Sequence, residues 1–164
     1  MKKVGIVMGS DSDLPVIRKA TAILDGLQVP YEAHVYSAHR TPEQAREFFL
    51  HARENGFGVI IAAAGMAAHL AGAAAAATTL PVIGIPCTGP VFDGLDALLS
   101  TVQMPSGIPV ASVGVNNGGN AALLAAEILA VEDEVLAVRL AEKRAADARS
   151  VLEKDAGIMG RLAD

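Results

Sequence analysis

Five short runs of apolar and β-branched residues alternate with stretches of helical periodicity along this 164-residue chain. Short apolar runs indicate buried strands, whereas apolar positions that recur about every 3.6 residues indicate amphipathic helices. The predicted strands are Val4–Met8, Tyr31–Tyr36, Val59–Ala63, Val82–Ile85 and Val110–Val113. The helices predicted after them are Leu14–Leu27, Pro42–Asn55, Met66–Ala77, Leu95–Val102 and Asn120–Ala130. Such a repeat joins parallel strands by right-handed crossovers, so we predict a three-layer doubly wound α/β fold with helices on both faces.

The second predicted strand alternates in polarity, unlike the other strands. Glu32, His34 and Tyr36 fall on one face of it, and Ala33 and Val35 on the other. Strands in the middle of a parallel sheet are covered on both faces, so this alternation indicates a partly exposed strand. We expect it at the edge of the sheet or at a contact between subunits.

A second amphipathic stretch follows the last helix of the repeat and reaches about Asp155. Its apolar stripe consists of Leu136, Leu140, Ala148, Val151 and Leu152. The stripe packs either on the chain's own domain or on a neighbouring subunit. We therefore predict one α/β domain over residues 1–156, including this C-terminal helical extension, and a loose tail over residues 157–164.

Composition excludes several classes of protein. With 52% hydrophobic and 19% charged residues, the chain is globular and not disordered. Its net charge of -5 comes without a basic cluster, which argues against a nucleic-acid partner. The apolar residues 59–80 include His69 and two glycines, and the N-terminus lacks the apolar core of a signal peptide, so we expect no membrane association. The single cysteine, Cys87, allows no intrachain disulfide and suits the cytoplasm.

Ligands of open parallel sheets bind at the carboxyl ends of the strands, where loops and helix N-termini gather. The loop after the first strand, Gly9–Asp13, offers hydroxyl and backbone N–H groups that suit a phosphate or a ribose. Ordinary helix capping by Ser12 or Asp13 explains the same residues. This loop alone does not decide between the two interpretations.

The loop after the second strand carries the most specific pair of side chains, His39 and Arg40. Arginine supplies a planar fork of donors for phosphate, and histidine both gives and takes protons near neutral pH. Thr41, Pro42 and Gln44 predict a capped helix start closed by a capping box, which specifies the geometry of the loop. We therefore regard His39 as the candidate proton carrier.

Small residues dominate the loops after the third and fifth strands. Residues 65–70 leave room for a planar ligand or a carboxylate, or else they allow close helix packing. Residues 114–120, rich in glycine and asparagine, either wrap a ligand or form a turn with asparagine caps.

Four segments, in the same order along the chain, resemble the N5-carboxyaminoimidazole ribonucleotide mutase family. They are Met8–Asp13, Ser37–Pro42, Ala67–Leu70 and Leu98–Pro105, within a similarity that spans residues 4 to about 130. The resemblance implies a flavodoxin-like fold and an isomerase of purine (IMP) biosynthesis. Such an enzyme moves the carboxylate of a carbamate on N5 of its ribonucleotide substrate to carbon 4 of the imidazole. It also implies that no metal or other cofactor is needed, and that the protein is a cytoplasmic homo-octamer.

The resemblance also implies roles for individual residues. His39 is the expected general acid and base. The expected substrate-binding residues are Ser10, Ser12, Asp13, Ser37, Arg40, Gly65 and His69. Within this set, Gly65 and His69 are expected to enclose the CO2 that the reaction releases. Two nearby positions depart from the commonest family pattern, because Met66 stands in place of a second glycine and Ala71 in place of a proline.

Other functions are compatible with the same fold. A related branch of the family carboxylates aminoimidazole ribonucleotide directly with free CO2, although Arg40 and residues 67–70 favour the mutase branch. Outside the enzymes, the alternatives are a flavodoxin-like electron carrier and a noncatalytic nucleotide-binding or signalling domain. The chain has no Trp to flank a flavin, and Ala62–Ala64 stands where a phosphoacceptor domain needs an aspartate.

Overall fold

The secondary structure follows the predicted strand–helix repeat, and a computed structural model describes it over residues 1–162. The strands are β1 Lys3–Met8, β2 Tyr31–Val35, β3 Phe57–Gly65, β4 Val82–Cys87 and β5 Ala111–Ser112. The helices are α1 Leu14–Gly26, α2 Pro42–His51, α3 Leu70–Ala77, α4 Leu95–Val102, α5 Gly118–Ala130, α6 Glu134–Ala156 and α7 Ile158–Leu162. A short 3-10 turn, Asp11–Asp13, precedes α1.

The five strands form one sheet in the order β2-β1-β3-β4-β5, and every neighbouring pair is parallel. This is the strand order of flavodoxin-like doubly wound folds, so the predicted fold class is confirmed. The prediction that the second strand lies at an edge is also confirmed, because β2 pairs only with β1. The strand order reverses at β1, and β1 and β3 therefore bring their loops together at the carboxyl edge.

Two apolar cores cover the two faces of the sheet. On one face, α1 and α5 pack on β1, β3 and β4 around residues such as Ile6, Leu24 and Ile61. On the other face, α2 and α3 pack around Phe49 and Ile60. Alternate residues of each central strand point to opposite cores, which explains the near-continuous apolar runs of these strands.

Local differences from the predicted boundaries have physical causes. The third helix begins at Leu70 and not at Met66, because Met66 has a left-handed backbone (φ 55) that no right-handed helix accommodates. The predicted capping box of α2 is wrong, since the Thr41 side chain makes no cap hydrogen bond there. Its hydroxyl instead bonds Ser37 in the preceding loop. The fifth strand has only two residues, Ala111–Ser112.

The predicted apolar stripe lies on the long helix α6, and its two ends differ in burial. Near its start, Leu136 is fully buried and Arg139 donates a hydrogen bond to the Leu27 carbonyl over 3.2 Å, so this part packs on the domain. Further along, Val151 and Leu152 are 63% and 67% exposed. The predicted loose tail contains the short helix α7, none of whose residues is buried, and residues 163–164 lie outside the described residues.

No helix within residues 1–162 combines the length and the apolar character needed to cross a membrane. The apolar residues 59–80 instead fold as most of β3, the following loop, α3 and the turn before β4.

Gly118 is where α5 meets α1, and we predict that Gly118→Ala destabilises the fold. An added Cβ would overlap the carbonyl oxygen of Val16 in the backbone of α1, which cannot move aside as a side chain can. Overpacking of this kind costs about 1–3 kcal/mol of unfolding free energy. Urea denaturation measures the effect. Gly119→Ala is the matched control, because its Cβ meets only Asn117 Oδ1 at 3.9 Å, and equal losses in both variants would contradict this account.

Candidate active site

The loops that follow β1, β2, β3 and β4 enclose a cleft of about 600 Å³ at the carboxyl edge of the sheet. Its size lies within the usual range for small-molecule sites, about 300–1,000 Å³. All eight predicted site residues line it: Ser10, Ser12, Asp13, Ser37, His39, Arg40, Gly65 and His69. Parallel strands make this possible, because their loops emerge side by side although they are far apart in sequence.

Hydrogen bonds within the β2–α2 loop hold His39 and Arg40 in place. The Ser37 Oγ accepts from the backbone N–H groups of His39 and Arg40, over 3.3 Å and 3.2 Å. The Thr41 Oγ1 accepts from Ser37 N over 2.8 Å and donates to Ser37 O over 3.2 Å. Ser37 therefore stabilises this loop through its Oγ, its N–H and its carbonyl oxygen. Its O–H can still donate a hydrogen bond to a ligand.

The Arg40 guanidinium joins the first two loops of the site. Its Nη2 donates to the Gly9 carbonyl over 3.1 Å, and the side chain is otherwise exposed at the cleft. Because a guanidinium has five N–H donors, several remain for an anionic ligand. On the first loop, Ser10 Oγ accepts from Ser12 N over 3.3 Å and thereby caps the 3-10 turn. The cap therefore comes from Ser10 and not from Ser12 or Asp13, the two residues predicted to supply it: Ser12 contributes only the donating N–H, and Asp13 makes no side-chain cap bond to α1.

His39 and His69 face each other across the cleft. The His39 Nε2 and the His69 Nδ1 are 3.3 Å apart, and their ring centroids are 5.3 Å apart. His69 occupies the residue before α3, so the start of that helix sets its position. A hydrogen bond at this distance needs a proton on one of the two nitrogens and a lone pair on the other. In this contact one ring therefore donates and the other accepts.

Asp13 and Cys87 form a half-buried pair beneath the first loop. Burial raises the pKa of the Asp13 carboxyl above its ordinary value, partly offset by a hydrogen bond from the Ser10 backbone. Burial also raises the pKa of the Cys87 thiol to about 12, and the neighbouring Asp13 carboxylate adds to that rise. Cys87 is a free, buried cysteine whose thiol stays protonated, so it does not serve as a nucleophile.

Gly65 and Met66 are neighbouring residues in the lining of the cleft. A Cβ at position 65 would lie 3.3 Å from the Cys87 carbonyl oxygen, so glycine allows the loops after β3 and β4 to approach closely. The Met66 side chain is 55% exposed and extends toward Gly89. Ala71 is buried in the second core and does not line the cleft, so only Met66 of the two departures from the family pattern alters its shape.

One wall of the cleft comes from residues that the sequence interpretation missed. The loop after β4 contributes Thr88, Gly89 and Pro90. This loop could have been identified from the sequence because it directly follows a buried strand. The other loops of the site were predicted from that position, at the carboxyl end of a parallel strand. The loop after β5, residues 114–120, does not line the cleft. It forms a turn with an asparagine cap, in which Asn117 Oδ1 accepts from Asn120 N over 3.0 Å.

Comparison with known proteins identifies the family of this chain. The family described as AIR carboxylase matches residues 3–150. The chain belongs to this family. Relatives named N5-carboxyaminoimidazole ribonucleotide mutase include one from Pyrococcus abyssi, 58% identical over 80% of this chain and 76% of the relative. Another from Bacillus subtilis is 54% identical over 92% of this chain and 94% of the relative. A crystal structure of Treponema denticola PurE matches with a TM-score of 0.80 at 30% identity, covering 93% of this chain and 96% of that one.

Within residues 1–162, no three His, Cys, Asp or Glu side chains stand close enough to hold a metal ion. The cleft instead presents two imidazoles, a guanidinium, hydroxyls and the Asp13 carboxyl. These groups can bind an anionic ligand and carry protons.

The buried thiol gives a direct test of the electrostatics under the first loop. With a pKa of about 12, roughly one part in ten thousand of the Cys87 thiol is ionised at pH 8. We predict that iodoacetamide alkylates the native protein at least about a hundredfold more slowly than the urea-unfolded chain at that pH. Mass spectrometry of the intact chain follows the reaction. Equal rates in the native and unfolded states would contradict the assigned burial and charge.

Proposed function

We propose that this protein is an N5-carboxyaminoimidazole ribonucleotide mutase, which forms 4-carboxy-5-aminoimidazole ribonucleotide in purine (IMP) biosynthesis. One observation carries the proposal: two facing imidazoles, His39 and His69, lie in the same cleft as the anion-binding Arg40. The family membership and the mutase names of its relatives support it. A site with one side chain that transfers protons, His39, and one that binds anions, Arg40, suits a reaction that only relocates a carboxylate and a proton.

The chemistry requires one proton to be delivered and one to be removed. As the carbamate C–N bond breaks, His39 donates a proton to the departing nitrogen and CO2 is released within the cleft. The electron-rich carbon 4 then attacks CO2 and forms the new C–C bond. His39 accepts the proton that leaves carbon 4, so the histidine returns to its starting state and the overall reaction is an isomerisation.

His69 acts through its contact with His39. A nitrogen 3.3 Å from the His39 Nε2 fixes the orientation of that ring and takes part in its hydrogen bond. His69 and Gly65 also line the cleft. Enclosure by these residues keeps CO2 from escaping before carbon 4 attacks it.

The nucleotide part of the substrate binds across the first two loops. Arg40 supplies charge-assisted hydrogen bonds to the phosphate, and Ser10, Ser12 and Ser37 supply hydroxyl groups. The Asp13 carboxyl, half-buried at the floor of the first loop, accepts hydrogen bonds from the ribose hydroxyls. No metal, flavin or nucleotide cofactor is part of the proposal.

Product formation from each candidate substrate tests the proposed reaction. The purified protein is given N5-carboxyaminoimidazole ribonucleotide or aminoimidazole ribonucleotide, each with and without bicarbonate. A mutase converts the first without added bicarbonate and uses the second poorly. Rapid use of aminoimidazole ribonucleotide with bicarbonate alone would identify the carboxylase alternative instead. Binding without turnover of either compound would support the noncatalytic nucleotide-binding domain.

We predict that His39→Asn lowers turnover by about 10²–10⁴-fold, because asparagine keeps a polar side chain in the loop but can neither give up nor take up a proton at neutral pH. Isothermal titration calorimetry should show nearly unchanged nucleotide binding, since Arg40 and its loop contacts remain. His69→Asn is the matched comparison and should have a smaller effect on turnover. If His69→Asn abolishes turnover while His39→Asn retains it, the two roles are reversed, and activity in both variants would refute the histidine mechanism.

The proposal includes a cytoplasmic homo-octamer with no nucleic-acid partner. Leu95, Leu99 and Val102 of α4 are about half exposed. Val151 and Leu152, on the distal part of α6, are more exposed still. Exposed apolar side chains in such numbers favour association with further copies of the chain. Multi-angle light scattering at micromolar concentration should give eight times the 16.8 kDa of one chain. A monomeric mass would overturn this part of the proposal.

A further inference from the structure

The start of the loop after β4 forms a wall of the cleft without supplying an ionisable side chain. Thr88, Gly89 and Pro90 line the site, and none of them is ionisable at neutral pH. What this loop contributes is its position. The carbonyl oxygens of Cys87 and Thr88 stand 3.3 Å and 3.6 Å from the place where a Cβ of Gly65 would lie. A shift of this loop would therefore change the width of the cleft beside Gly65.

A side chain from outside the cleft holds this loop. The Asn116 Oδ1 accepts a hydrogen bond from Thr88 N over 3.0 Å, and its Nδ2 donates to Thr88 Oγ1 over 3.1 Å. The Asn116 backbone N–H donates to the Pro86 carbonyl over 2.9 Å. From the turn that follows β5, Asn116 therefore bonds the end of β4 at Pro86 and the first residue of the next loop, Thr88.

The chemistry of this contact specifies asparagine. A backbone N–H only donates, so the amide oxygen must face Thr88 N, which leaves the NH2 group for the Thr88 hydroxyl. The backbone of Asn116 is left-handed, with φ 56, a conformation that asparagine tolerates better than most residues. An aspartate would keep the acceptor for Thr88 N, and the Thr88 hydroxyl would have to reverse its role and donate to the second carboxylate oxygen, whereas a glycine would keep the backbone conformation and lose both bonds.

We propose that Asn116 is a positioning residue of the active site, which sets the width of the cleft by fixing Thr88 and the loop it begins. This inference rests on the proposed function for its kinetic consequence, but the contact itself does not depend on the identity of the substrate. Asn116 acts through the loop, because it does not itself line the cleft. Its loss should therefore weaken substrate binding without altering the proton transfer at His39.

Kinetics of four variants test the proposal. Asn116→Gly removes both side-chain bonds, and we expect it to raise KM for the ribonucleotide by about five- to tenfold, with kcat and its pH profile nearly unchanged. Thr88→Val removes one bond, and Asn116→Asp keeps the bond to Thr88 N, so both should raise KM by less. The double variant Asn116→Gly with Thr88→Val should be no worse than Asn116→Gly, because the two residues act as one unit.

The matched control is the neighbouring asparagine. Asn117 caps α5 through Asn120 N and makes no bond to Thr88, so Asn117→Ala should lower Tm but leave KM within about twofold of the unmodified protein. An unchanged KM in Asn116→Gly, or an equal rise in Asn117→Ala, would overturn the proposal.

Hydrogen-exchange mass spectrometry separates this inference from the proposed function. In peptides that contain Thr88, Asn116→Gly should speed amide exchange, and Asn117→Ala should not. That result would support the clamp even if the unmodified protein failed to turn over the ribonucleotide, which would count only against the proposed function. Unchanged exchange in Asn116→Gly would overturn the clamp whatever the activity.

Discussion

Burial of the central strands on both faces is the constraint on which the rest of the structure depends. β1, β3 and β4 are apolar along nearly their whole length, so helices must cover both faces of the sheet. Because these helices are the crossovers between successive strands, the strands run in parallel. Polar side chains then have little place in these central strands. They collect in the loops at its carboxyl edge, and the chemistry of the protein is concentrated there.

Hydrogen bonds between loops turn that edge into a defined site. Arg40 bonds the Gly9 carbonyl, His69 contacts His39, and Asn116 holds Thr88. Each contact joins loops from different strand–helix units. Small residues permit this closeness, since a Cβ at Gly65 would press on the Cys87 carbonyl. The site is thus built from pairs of loops, and His39 contacts a residue thirty positions away along the chain.

The strand–helix repeat and the loop chemistry could be predicted because they depend on local order. Apolar runs, Pro42 at a helix start and the neighbouring His39 and Arg40 are visible in a short window of sequence. Predictions from local sequence patterns failed at two points. Thr41 was expected to cap α2, but its hydroxyl bonds Ser37, and the left-handed Met66 delays the start of α3 to Leu70. The wall formed by Thr88 was missed because threonine, glycine and proline carry no chemical signature of a site.

Periodicity and composition were enough to establish the parallel three-layer fold, the edge position of β2 and the loops that carry functional groups. Tertiary structure alone decided which of these groups touch: the His39–His69 contact, the burial that raises the pKa of Cys87, and the Asn116–Thr88 clamp. It also decided that Leu136 is buried while Val151 and Leu152 stay exposed on the same helix. The physical reason is that strand and helix formation follow from neighbours in sequence. Contacts at the carboxyl edge depend instead on crossovers that bring distant loops within hydrogen-bonding distance.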